Sequence, residues 1–187
     1  MASAISHAVA ALSLGTVFRQ PHSSWRFWLL GVACSVVPDI DVIGFRFGVH
    51  YGDLLGHRGL THSLPFAALL SIMVARCAVP RGCQAVNRRV HLLYLFVATA
   101  SHGVLDAMTN GGLGVAFFSP FLSTRYFLPF RPIEVSPLEV GGFFTQRGVE
   151  VLKSEMLWIW LPCGLLVTVA GLWRLQRRTD VVIESGL

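Results

Sequence analysis

Charge is what this sequence has least of. Only 13% of its 187 residues are Asp, Glu, Lys or Arg, where a soluble domain carries about 25%. With 53% hydrophobic residues and a mean hydropathy of +0.61, the apolar excess is too large for one soluble core of this length. The natural solvent for it is lipid. The opening Met1-Ala2-Ser3-Ala4-Ile5-Ser6 has no Lys or Arg, so the charged start of a signal peptide is missing. No clear cleavage site follows, and the first apolar stretch is expected to be a retained helix. The four cysteines form no CxxC pair, which argues against a thiolate metal site and for small, reduced core residues. No repeat of 20–50 residues and no low-complexity tract is present, so a repeat array is excluded.

What is present is a set of apolar stretches: Ala2–Phe18, Trp25–Val37, Ser63–Val79, His91–Met108 and Met156–Trp173. A bilayer-spanning helix needs about 17–25 mostly apolar residues, and four of these sit at the short end of that range. Trp25–Val37 spans only if it runs on through Pro38–Phe47. The expected fold is all-α, a polytopic membrane bundle of about five helices, with four as the alternative. The chain forms one membrane-embedded domain over residues 1–187. Segment 109–155 is extramembrane or interfacial, and 174–187 is a basic cytoplasmic tail. Pro120, Pro129, Pro132 and Pro137, with Gly111-Gly112 and Gly141-Gly142, rule out one long helix across 109–155. Its phenylalanines suit the headgroup zone.

Of the 15 basic residues, Arg19, Arg26, Arg76, Arg81, Arg88, Arg89, Arg174, Arg177 and Arg178 lie in three short segments. Alternating helices put all three segments on one side, which the positive-inside rule makes cytoplasmic. The basic excess therefore reports topology and not nucleic-acid binding. The N-terminus, segment 38–62 and segment 109–155 then fall on the extracytoplasmic side.

Several ionisable residues occur at membrane depth, where they are costly and mark functional sites by default. His102 and Asp106, four apart, share one face of a helix and can share one cation; a neutral His bonded to Asp is the plainer alternative. Asp39 and Asp41 follow Pro38, and in an extended backbone would point the same way. They could bridge a cation or activate water, or simply end a helix. His57 and His62 bracket Arg58, Gly59 and Thr61, with Thr61 or Ser63 available as a helix cap. A turn at Gly59 could bring the two histidines together. His7 alone is weak evidence. The alternating topology brings all of these toward one membrane face. A mixed imidazole and carboxylate set suits zinc first, with manganese or iron as alternatives.

The runs Pro38-Asp39-Ile40-Asp41, His57-Arg58-Gly59-Leu60-Thr61-His62-Ser63 and Ser101-His102-Gly103-Val104-Leu105-Asp106, with Thr109, closely resemble the YdjM-like family of bacterial inner-membrane proteins. His7 and the later run with Arg125, Phe130, Arg131 and Pro132 also look like that family, and the resemblance spans roughly residues 1–140. It implies a metal-dependent hydrolase distantly similar to zinc-dependent phospholipase C and zinc nucleases. His7, Asp39, Asp41, His57, His62, His102 and Asp106 are then the expected metal ligands. Asp39 or Asp41 would serve as base, and Arg58 with Arg125 or Arg131 would balance charge on a phosphoryl oxygen. Those enzymes use further histidines and a Glu after this helix, whereas this chain has no His beyond His102. One or two metals are therefore expected, with Glu134 or Glu139 as substitutes. The implied substrate is a phospholipid or other lipid-linked phosphoester. A cation or proton carrier, a non-catalytic metal-stabilised scaffold and, less readily, a haem protein are the alternatives.

Overall fold

The computed structural model describes residues 1–21, 23–79, 85–137 and 140–184, without the side chains of 85, 86, 140 and 178–184. Arg81, Cys83 and Glu139 lie outside the described residues, as does the Arg178 side chain. The described residues form helices and loops, with two isolated β-bridges and no strand.

Five helical rods account for the five apolar stretches. The first, α1 (Ala4–Phe18), is capped by Ser3, whose hydroxyl accepts from the Ser6 amide. The second, α2 (Trp25–Val36), continues directly as a 3₁₀ helix over Val37–Phe47. That continuation gives a 23-residue candidate span, Trp25–Phe47. Gly48 ends it in the left-handed region at φ 79°, a conformation glycine adopts without penalty. A loop and one 3₁₀ turn, Leu60–His62, lead into α3 (Leu64–Ala78), capped by Ser63. The fourth rod is α4 (Ala85–Ala107).

The last rod differs from expectation. Helix α5 (Gln146–Glu155) runs through one π turn, Met156–Trp160, into α6 (Leu161–Glu184). Ten residues assigned from sequence to the irregular segment are thus helical, because the last of its prolines, Pro137, precedes them. The basic tail is likewise a continuation of α6 as far as Glu184. Among the described residues, three rods are long and apolar enough to cross a membrane: Trp25–Phe47, Asn87–Ala107 and Gln146–Arg177. Ala4–Phe18 and Leu64–Ala78 are shorter apolar helices.

α4 is the central element, packed on α1, α2 and α3. Small residues line these contacts, among them Ala10, Ala11, Cys34, Ala75 and Ala98, which lets the backbones approach as membrane helices require. Tyr94 fills the middle, its hydroxyl donating to the Ala11 carbonyl at 3.1 Å and its ring stacked on Phe27. By contrast α6 touches mainly α1 and leaves Leu161, Leu165, Val169 and Leu172 exposed. Such a face is stable against lipid and not against water.

Segment 109–137 folds over the end of the bundle where α1 begins and α4 ends. Bridges pair Thr109 with Ile133 and Val115 with Tyr126. The Ala116 amide donates to the Arg58 carbonyl, the Leu64 amide to Phe117, and the Leu128 amide to Ala107. These bonds close the loop 48–62 against the mouth of the bundle.

Candidate metal centre

Beneath that cover lie His7, Asp39, Asp41, His57, Arg58, His62, His102 and Asp106, all of them buried. His7 comes from α1, the two aspartates from the 3₁₀ helix after α2, and His57, Arg58 and His62 from the loop before α3. His102 and Asp106 come from successive turns of α4. The sequence expectation that Asp39 and Asp41 share one direction fails. A 3₁₀ helix turns about 240° over two residues, so they diverge. Both still reach the cluster because His62 stands between them: its Nε2 lies 3.7 Å from Asp39 Oδ1, and its Nδ1 lies 3.1 Å from Asp41 Oδ2.

The inner site consists of Asp39, His62, His102 and Asp106, whose ligand atoms all lie within 4.8 Å of one another. His62 Nε2 and His102 Nε2 are 3.0 Å apart. His102 Nε2 is 3.3 Å from Asp39 Oδ1 and 4.0 Å from Asp106 Oδ2, and His62 Nε2 is 3.5 Å from Asp106 Oδ2. Four ligands at about 2.0–2.1 Å from one tetrahedral cation stand about 3.3–3.4 Å apart. The spacing fits a cation of that kind.

The hydrogen bonds around the site favour the same reading. His102 Nδ1 lies 2.6 Å from the Ser35 carbonyl, which can only accept, so Nδ1 carries the proton and Nε2 presents a lone pair. His62 Nδ1 faces the Asp41 carboxylate and the Thr61 hydroxyl, which turns its Nε2 inward in the same way. Both Asp39 oxygens, both His7 ring nitrogens and His57 Nε2 are buried without a hydrogen-bond partner. Buried polar groups are rarely left so. Either a proton or a cation must sit among these atoms. Burial alone would lower the His62 pKa, but the carboxylates of Asp106, Asp39 and Asp41 outweigh it and push it up to about 10.

Charge points the same way. Three carboxylates, Asp39, Asp41 and Asp106, face one guanidinium, Arg58. With the histidines neutral, as metal binding requires, these side chains keep two negative charges, which one divalent cation would offset. Burial lowers the pKa of the amino terminus in spite of nearby Asp106.

The outer group, Asp41, His57 and His62, is a second set whose atoms are close enough for an ion. Its bonding has another explanation. Asp41 Oδ1 is 2.7 Å from His57 Nδ1, and Oδ2 accepts from Thr61 Oγ1 at 2.7 Å and from the Arg58 amide at 3.2 Å. With His62 Nδ1 also facing it, this carboxylate is fully engaged. It is placed to fix the tautomer and tilt of His62, as carboxylates behind metal-bound histidines do. His7 stacks on His102, ring centroids 3.6 Å apart, with its Nε2 3.5 Å from Asp106 Oδ1.

The three arginines take different places. Arg58 is fully buried, with φ 62°. It donates from Nε to Asp106 Oδ2 (3.1 Å), and its two terminal nitrogens donate to Gly111 O (2.8 Å) and Thr109 Oγ1 (2.9 Å). The guanidinium is therefore a clamp on Asp106. Arg125 donates to the carbonyls of His57 and Tyr51, holding the loop closed. Arg131 is not brought to the cluster; it is exposed, its guanidinium 4.6 Å from the Phe127 ring centroid. Glu134, considered a substitute ligand, forms a surface ion pair with Arg147 at 2.8 Å.

One buried acid escaped the sequence reading. Glu155, fully buried at the π turn, accepts from the Ser3 amide (2.5 Å), Ser3 Oγ (2.6 Å) and Ser6 Oγ (2.7 Å). The neighbouring Ala2 amide donates to Asp106 Oδ1 at 2.8 Å. Consecutive amides at the start of α1 thus bind two buried carboxylates and tie the last rod to the site. An acid at the edge of an apolar run was the available signal.

Fold and site together define an all-helical membrane protein with a buried His/Asp cluster able to hold a metal ion. The chain belongs to the YdjM inner membrane protein family, whose model matches residues 1–177. It is 36% identical over 181 residues to Inner membrane protein YbcI of Escherichia coli (strain K12), covering 93% of this chain and 99% of that protein. No solved structure matches it.

Proposed function

We propose that Asp39, His62, His102 and Asp106 hold one divalent cation, zinc before manganese or iron, and that the protein is a membrane-bound phosphoester hydrolase. The reading is carried by the two Nε2 atoms facing each other at 3.0 Å beside an Asp39 carboxylate with no hydrogen-bond partner. When bound, such a cation supplies Lewis acidity and makes water a usable nucleophile near neutral pH.

The chain's own groups divide the remaining work. Asp39 is the carboxylate with spare capacity and the more open side chain, 10% exposed against 1% for Asp41. It would therefore be the ligand that yields its position to water and takes the water's proton. Asp41 and His57 orient His62, and Arg58 holds Asp106 in place while offsetting its charge. The substrate class is a phospholipid or lipid-linked phosphate, since the cluster lies at one end of the bundle under an aromatic-rich loop. The basic residues at the other ends of the helices favour an extracytoplasmic cluster and cytoplasmic Arg89 and Arg177.

The depth of the cluster favours one alternative, a metal that staples the helices without turnover. Metal analysis of the detergent-purified full chain, beside His102→Ala and a phosphoester and phospholipid panel, separates the two. About one ion per chain with metal-dependent release of phosphate or headgroup supports the hydrolase. An ion without turnover on any ester favours the staple, and absence of stoichiometric metal defeats both.

A further inference from the structure

A second built site lies at the far end of the bundle. The 15 residues of α1, about 22 Å of helix, separate the amides at Ala2 and Ser3 from Arg19. There α1 and α6 flank an open cavity of about 790 Å³, lined among others by Val17, Arg19, Gln20, Trp173, Arg174 and Arg177. No acidic side chain is among its described lining residues. Arginines at a helix end follow from the positive-inside bias alone; a cavity with oriented guanidiniums does not. Arg174 donates to the Val17 and Arg19 carbonyls at 3.3 and 3.0 Å, capping the end of α1. Arg177 lies over the Trp173 ring, 4.2 Å from its centroid.

The lining is also of mixed character. Its lining combines the arginines and Gln20 with Val17, Gly171 and Leu175, and further leucines of α6 are exposed. It sits where the candidate span Gln146–Arg177 ends, the depth of lipid headgroups. Planar guanidiniums match phosphate oxygens in pairs, and basic pockets between membrane helices are suited to anionic headgroups. We propose that this cavity binds the phosphate of an anionic membrane lipid, with an acyl chain along α6. The proposal is independent of the hydrolase reading, since it uses none of the cluster's residues.

The test uses the purified full chain with phosphatidylglycerol, phosphatidylcholine or inorganic phosphate, read by native mass spectrometry and thermal unfolding. The wild type should retain phosphatidylglycerol over phosphatidylcholine and melt higher with it. Arg19→Gln with Arg177→Gln should weaken that preference by roughly fivefold per charge removed. Arg174 is left intact because it caps α1. Arg76→Gln with Arg89→Gln removes the same charge at the same end, outside the cavity, and should keep the preference. The proposal fails if this control loses the preference equally, if the headgroups bind alike, or if inorganic phosphate gives the same stabilisation as the lipid.

Discussion

His62 and His102 present their Nε2 atoms to each other at 3.0 Å, each ring held from behind through Nδ1, one by Asp41 and the other by the Ser35 carbonyl. Removing either imidazole takes away one of four donors. His102→Ala and His62→Ala should lower metal affinity by at least about 100-fold, beyond the range seen for partners that only orient a ligand. Zinc titration with a competing chelator measures it. Unchanged affinity in both variants would remove the inner site as the metal centre.

Asp41 behaves differently if it orients His62 without ligating. Asp41→Asn keeps a partner for His62 but weakens its hold, so affinity should fall about 10–100-fold while saturating metal still gives the wild-type stoichiometry. Loss of an ion at saturation would instead make Asp41 a ligand.

The pH dependence of the metal-free protein follows from His62. Its pKa is raised from the ordinary 6.5 to about 10 in the fold, so the stability it contributes is fully present below about pH 6.5. That contribution fades as pH rises through about 10. Metal takes the proton's place, so loading near neutral pH should release protons and abolish the decline. Unfolding midpoints of metal-free and loaded protein from pH 6 to pH 10, with proton release by calorimetry in two buffers, check both. A metal-free protein whose stability is flat over that range would refute the assignment.

Arg58 and Arg131 should separate sharply. Arg58→Gln leaves Asp106 without its guanidinium at full burial, and should cost about 3–5 kcal/mol, the range for breaking a buried pair from one side. Arg131→Gln should stay within about 1 kcal/mol, the worth of an exposed cation–π contact, with metal content unchanged. Chemical denaturation in mild detergent with metal analysis gives both numbers. A metal or activity loss specific to Arg131→Gln would restore it to the site.

Gly103 lets the α3-side turn approach α4. A Cβ there would lie 2.8 Å from the His62 carbonyl oxygen, so Gly103→Ala must push the His62 backbone outward. Destabilisation of about 1–3 kcal/mol with weakened metal binding is expected. A variant that binds metal as the wild type does would show that the turn can yield without disturbing the site.

The solvent and the helical elements are legible in the residues alone. Scarce charge and five apolar stretches fix a membrane helix bundle, because hydrophobic length is a local property that lipid reads directly. The polar residues placed against that pattern, from His7 to Asp106, are legible for the same reason: burying them in an apolar setting is costly, so each calls for a partner. Which partner each one has follows from how the helices and loops pack. A 3₁₀ continuation sends Asp39 to the inner site and Asp41 behind His62, though they are two residues apart. Arg58 turns inward to Asp106, 48 residues away, while Arg131 stays outside. Glu155 reaches Ser6 across 149 residues, and no local spacing encodes that contact. Hydrogen bonds depend on ångström positions that packing sets after the helices have formed, so the residue types of the site lay in the sequence and their roles in the fold.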